Sequence, residues 1–74
     1  MEDHVRRIMA DILDLAPESI DESTGQESVE GWDSLKHITL CLTFEQEFKV
    51  SLEVNEIEAM VTYGDILQVL QQKL

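Results

Sequence analysis

Apolar residues near the start of the chain follow a helical period. Val5, Ile8, Met9 and Ile12 fall at i, i+3, i+4 and i+7, which gathers them on one face of an amphipathic helix. The helix is expected over about residues 2–14, ending before Pro17, because a residue preceding proline is pushed out of the α region. From Leu15 to Asp33 no period holds, and Pro17, Gly25, Gly31 and scattered Ser, Thr and acidic residues read as loop. A connection this long either crosses the length of a bundle or carries function. Ile20, Val29 and Trp32 are its expected anchors into the core.

Asp33-Ser34 opens a second helix, since both residue types are good N-caps. It is expected to run to about Phe48 or Lys49. Stepping about 100° per residue, it shows two apolar stripes. His37, Leu40, Cys41, Phe44 and Phe48 form one, and Leu35, Ile38 and Leu42 form the other. Two stripes imply two neighbours, inside the domain or outside it. Val54, Ile57 and Met60 or Val61 suggest a short third helix. Thr62-Tyr63-Gly64-Asp65 reads as a break with a new cap, and Ile66, Leu67, Val69, Leu70 and Leu74 as a final helix. No strand pattern or internal repeat interrupts this. The expected fold is all-α: a small four-helix bundle, three main helices plus one short helix, with a long first loop, forming a single domain over residues 1–74.

Composition narrows the function. With 74 residues there is room for one small domain and no large buried active site. The formal net charge of -11 argues against nucleic acid and anionic membranes, because a phosphate surface would repel the chain. Basic protein surfaces are the natural partners. No apolar run approaches the ~20 residues of a membrane span. The single cysteine, Cys41, and an N-terminus without a basic-then-apolar signal pattern favour the cytoplasm; a monomer is expected.

Known chemistries are mostly absent. An EF-hand loop needs Gly at its sixth and Glu at its twelfth position; Gly25 puts Ile20 first, and Gly31 puts Gln26 first and His37 twelfth, so both frames fail. Cys41, His4 and His37 are too few and too scattered for a zinc site. There is no P-loop and no dinucleotide-type glycine pattern, and no nucleophile with a base beside it. No enzyme is expected. Cys41 reads as a small buried hydrophobe.

The informative segment is Gly31-Trp32-Asp33-Ser34-Leu35, which sets a serine hydroxyl at the mouth of a helix after a flexible turn. It resembles the D-S-L attachment motif of acyl carrier proteins, and Glu45-Gln46-Glu47-Phe48 resembles the acidic run ending in Phe that follows it in that family. Chain length, the long first loop, the short third helix and the acidic balance resemble the family too.

The resemblance implies that a phosphopantetheinyl transferase moves 4'-phosphopantetheine from coenzyme A onto Ser34, with Asp33 and Leu35 flanking the site. The arm then carries an acyl group as a thioester to loading and transferring enzymes with basic patches, in fatty-acid or specialised, polyketide-like biosynthesis. It further implies that Leu35, Ile38, Leu42, Glu45 and Glu47 face partner enzymes, and that His37, Leu40, Phe44 and Phe48 line the core, where the family shelters its acyl chain, core packing and chain binding being compatible. The bland readings stand beside these: Ser34 or Asp33 as an ordinary N-cap, the Leu35 stripe packed on the first loop, and the glutamates simply solvated. Lys36 and Thr39 stand where the family commonly has acids, and Trp32 where it has a small residue, which points to a dedicated carrier. The alternatives are an aminoacyl or peptidyl carrier, and an acidic helical adaptor without a prosthetic group.

Overall fold

Four α-helices carry the fold: α1 (Glu2–Leu13), α2 (Ser34–Phe48), α3 (Val54–Ala59) and α4 (Tyr63–Lys73), with one 3-10 turn at Pro17–Ser19 in the first loop. The computed structural model describes residues Met1–Leu74. α1 packs on both α2 and α4, and α3 packs on α4. The result is the expected all-helical bundle, with helix ends within a residue or two of the sequence reading except at α4.

Local chemistry explains the ends. α1 opens on Glu2 and Asp3, acids that favour the positive end of a helix, and closes on Asp14 in the left-handed conformation at φ 57°. α2 closes the same way on Lys49 at φ 56°. α3 starts with a reciprocal pair, Glu53 and Glu56, each side chain meeting the other residue's backbone N–H. Thr62 and Asp65 form the same arrangement at α4. The expected break at 62–65 is therefore corrected. Thr62 alone is the cap, and Tyr63, Gly64 and Asp65 form the helix's first turn.

The core collects Val5, Met9, Leu13, Leu40, Cys41, Phe44, Met60, Tyr63, Ile66 and Leu70 among its buried residues. Tyr63, which the periodicity did not pick out, is 2% exposed. Its hydroxyl donates to the Glu2 carbonyl at 3.2 Å, pinning the start of α4 to the start of α1. In the first loop, Ile20 and Trp32 are buried and Val29 is half-buried against the core. Gly25 forms an isolated antiparallel bridge with Thr62. A Cβ there would stand 2.8 Å from the Val61 carbonyl oxygen, so only glycine lets the loop approach this closely. Of the apolar residues that suggested the third helix, Met60 and the half-buried Ile57 face the core, while Val54 is 73% exposed.

Candidate functional site

Ser34 is the first residue of α2, and it is exposed. Asp33, in extended conformation before it, is the cap: its Oδ1 accepts from the Lys36 N–H at 2.9 Å. The choice left open by the sequence is thereby decided. Ser34 is relieved of the capping role, and its hydroxyl stands at the helix mouth. The N–H groups of Ser34 and Leu35 have no carbonyl one turn earlier within the helix, so this end presents free donors and a positive dipole end to an anion.

Beside Ser34 lies a groove of about 540 Å³, lined also by Gln26, Trp32, Asp33, His37, Ile38, Ile57 and Glu58. The His37 ring is part of this lining. The Trp32 indole N–H donates to His37 Nδ1 at 3.0 Å, and Gln26 Nε2 approaches the same nitrogen at 3.3 Å. His37 Nε2 lies 2.8 Å from the Ile57 carbonyl oxygen. A carbonyl only accepts, so Nε2 carries the hydrogen and the ring is neutral with Nδ1 as acceptor. His37, expected in the core stripe, instead sits half-buried at the core's edge, joining the first loop to α2 and α3.

Cys41 lies 3.9 Å from His37 Nε2, a pairing that could suggest a nucleophile and its base. The arrangement does not support it. Burial, with Glu45 adding to it, pushes the Cys41 thiol up to about 11, and His37 Nε2 already gives its hydrogen to Ile57. Cys41 is a buried neutral thiol at 3% exposure.

The other apolar stripe of α2 faces solvent. Leu35 is 73%, Ile38 53% and Leu42 55% exposed, so the first loop does not cover it. Glu45 and Glu47 are engaged within the molecule. Glu45 Oε2 accepts from the Leu52 N–H at 2.8 Å, and Glu47 Oε1 lies 2.9 Å from His4 Nε2. Gln26 and Glu58 were not singled out from the sequence as site residues, and Ile57 was read there only as part of the third helix. They come from the loop and α3, and nothing in their local spacing signals that the fold carries them to Ser34.

The donor set suits a phosphate-linked arm: an exposed hydroxyl on the first turn of a helix, unpaired N–H groups around it, and beside it a groove lined by both polar and apolar side chains. Three comparisons bear on this. The family described as "Phosphopantetheine attachment site" matches residues 3–70. The acyl carrier protein of Chlamydia muridarum is 32% identical over 73 residues, 99% of this chain and 95% of that protein. The acyl carrier protein of Phenylobacterium zucineum is 32% identical over 72 residues, covering 97% and 91%. A solution NMR structure of a holo acyl carrier protein from Geobacter metallireducens superposes with a TM-score of 0.86 at 22% identity, over 97% of this chain and 83% of that one, which supports the fold. The match to the attachment-site family spans nearly the whole chain, the curated relatives agree with it end to end, and the chain belongs to the acyl carrier protein family, whose members are carriers rather than enzymes.

Proposed function

We propose that Ser34 is the residue that takes the 4'-phosphopantetheine arm, and that the whole chain works as one carrier unit. The observation that supports this most is the division of labour at the helix mouth. Asp33 caps α2 through the Lys36 N–H, which leaves the exposed Ser34 hydroxyl unengaged in the sequence context that resembles the attachment motif. When bound, the arm supplies a terminal thiol that holds an acyl group as a thioester. The protein's part is to anchor the phosphodiester at the positive end of α2 and to address the cargo to enzymes.

The address is the exposed Leu35, Ile38 and Leu42 stripe. Together with the chain's -11 charge, it favours enzymes that present an apolar patch ringed by Lys and Arg. Glu47, on the surface near His4, can meet such a rim directly. Glu45, tied to Leu52, contributes through its field. Lys36 and Thr39, both exposed on the opening turns of α2, make this rim less acidic and narrow the set of partners. No helix is long and apolar enough to cross a membrane; we place the carrier in the cytoplasm, as a monomer.

Incubation with coenzyme A and a broad phosphopantetheinyl transferase, followed by intact mass measurement, tests the assignment. One arm should be added to the native chain and none to Ser34→Ala. Loading of the alanine variant would remove Ser34 from the mechanism.

A further inference from the structure

Loading changes the charge at the mouth of α2. The Ser34 hydroxyl is neutral, whereas a phosphodiester in its place is an anion at neutral pH. Ser34 shares its groove with two carboxylates, Asp33 and Glu58, in a chain whose net charge is already -11. Like charges gathered there repel, and the N–H groups at the end of α2 set only a partial positive charge against them.

Of the five Lys and Arg residues, Lys36 is the one on the turn that carries Ser34. Arg6 is held by Asp3 at 3.2 Å, and Lys73 by Glu56 at 2.7 Å. Lys49 closes the far end of α2, about 20 Å away along the axis. Arg7 lines a groove with Thr39 and Thr43, farther along α2. Lys36 is the third residue of the helix, and its backbone N–H donates to Asp33. Its side chain is exposed, and its ammonium enters none of the molecule's ion pairs, even with Asp33 so near. A cation in the first turn opposes the helix dipole, a cost that no ion pair of the unloaded chain offsets.

Resting on the reading of Ser34 as the attachment site, we infer that Lys36 is the counter-ion of the loaded arm: its ammonium pairs with the phosphodiester and offsets the repulsion from Asp33 and Glu58. Residues two apart do not face each other along a helix, so the pair forms over the helix's open end. Helical side chains lean towards the N-terminus, and the flexible lysine stem supplies the reach. Lys36 thereby steadies the root of the arm, beyond its effect on the charge of the partner rim.

The test compares the native chain, Lys36→Gln and Lys36→Arg, each as apo protein and after loading from coenzyme A, with intact mass confirming the arm. Thermal midpoints are read at about 0.01 M and about 1 M salt, which differ about tenfold in screening length. Apo Lys36→Gln should melt no lower than the apo native chain, because a cation has left the positive end of the helix; a lower midpoint would make Lys36 a support of the bare fold and overturn the inference. At low salt, loading should lower the midpoint of Lys36→Gln by about 2–4 °C relative to its effect on the native chain. Lys36→Arg should follow the native chain, and the difference should close at high salt. An equal change on loading in the native and Gln forms overturns the inference and leaves the carrier reading intact. So does a difference that persists at high salt, which would belong to packing of the stem. Failure of the native chain to load overturns both. In the native chain the Lys36 Cε methylene resonance should also move on loading and move back as salt is added, while that of Lys49 stays in place. A Lys36 resonance indifferent to loading overturns the inference by itself, and this measurement decides if Lys36→Gln is a poor substrate for the transferase.

Discussion

The Trp32 indole N–H donates to His37 Nδ1 at 3.0 Å, and that one bond sets the tautomer of the ring beside the proposed attachment serine. With Nδ1 committed as acceptor, Nε2 must carry the hydrogen, and it spends it on the Ile57 carbonyl at 2.8 Å. The end of the first loop, α2 and α3 are locked through a single side chain. The site is therefore held by these bonds on its groove side, while the apolar stripe of Leu35, Ile38 and Leu42 lies open to solvent, with Ile38 reaching the groove's edge.

Replacing His37 with Leu should show what the lock contributes. The buried Trp32 N–H loses its acceptor, while the Ile57 carbonyl keeps the Met60 N–H at 3.3 Å. A loss of about 1–3 kcal/mol is expected, read as a lower midpoint in urea or heat. A variant as stable as the native chain would show that the Trp32 N–H finds another partner at no cost.

Capping and attachment should separate cleanly at Asp33 and Ser34. Asp33→Ala removes the acceptor of the Lys36 N–H and should cost about 1 kcal/mol. Ser34→Ala should leave the midpoint nearly unchanged and abolish loading. If both variants lost the same stability, Ser34 would share the capping, contrary to the geometry.

Added salt should raise the thermal midpoint and weaken binding to partner enzymes. At a net charge of -11, self-repulsion and attraction to a basic patch are both screened over about 10 Å at 0.1 M ionic strength. Midpoints measured at low and moderate salt test the first effect; titrations against a transferase at the same two salts test the second. A flat response in either would contradict it.

Glu56 should make stability depend on pH on the acid side. The Glu53 backbone N–H, and next the Lys73 ammonium at 2.7 Å, hold its carboxyl below the ordinary carboxylate value. A carboxylate depressed in the folded state stabilises above its unfolded value of about 4.3, and the contribution is lost as pH falls through the folded value. Glu56→Gln should therefore melt below the native chain at neutral pH, and the two curves should converge under acid. A gap that stays constant down to the acid limit would assign the effect to packing.

Cys41 should resist alkylation in the native apo chain. Burial and Glu45 lift its thiol to about 11, so little thiolate exists at neutral pH and what exists is shielded. Iodoacetamide should label Cys41 only in denaturant, and any label on the folded, loaded protein should map to the arm's thiol. Rapid labelling of the folded apo chain would mean that α2 opens far more readily than its packing indicates.

The helices were legible because each signal is local. The Val5–Ile12 spacing, the Asp33-Ser34 start and the long loop from Leu15 to Asp33 all depend on neighbours within a turn or two, and α1 and α2 form where those signals place them. Tyr63 was missed because its helix position comes from the Thr62–Asp65 capping pair, and its burial from Glu2 across the bundle. The second stripe of α2 was visible as a pattern, but a pattern does not say whether a neighbour covers it.

By itself, then, the sequence determined the class of fold, the acidic charge, the absence of a catalytic set and the serine set at a helix mouth, because chain periodicity, capping chemistry and composition need no long-range contact. Only the tertiary structure decided that Asp33 rather than Ser34 caps α2, that Leu35, Ile38 and Leu42 face solvent, and that Trp32, His37 and Ile57 close the seam beside the site. Each of these depends on which distant segment arrives next to which side chain. That arrival is set by packing one core around Leu40, Phe44 and Met60, a constraint shared by the whole chain and written in no single stretch of it.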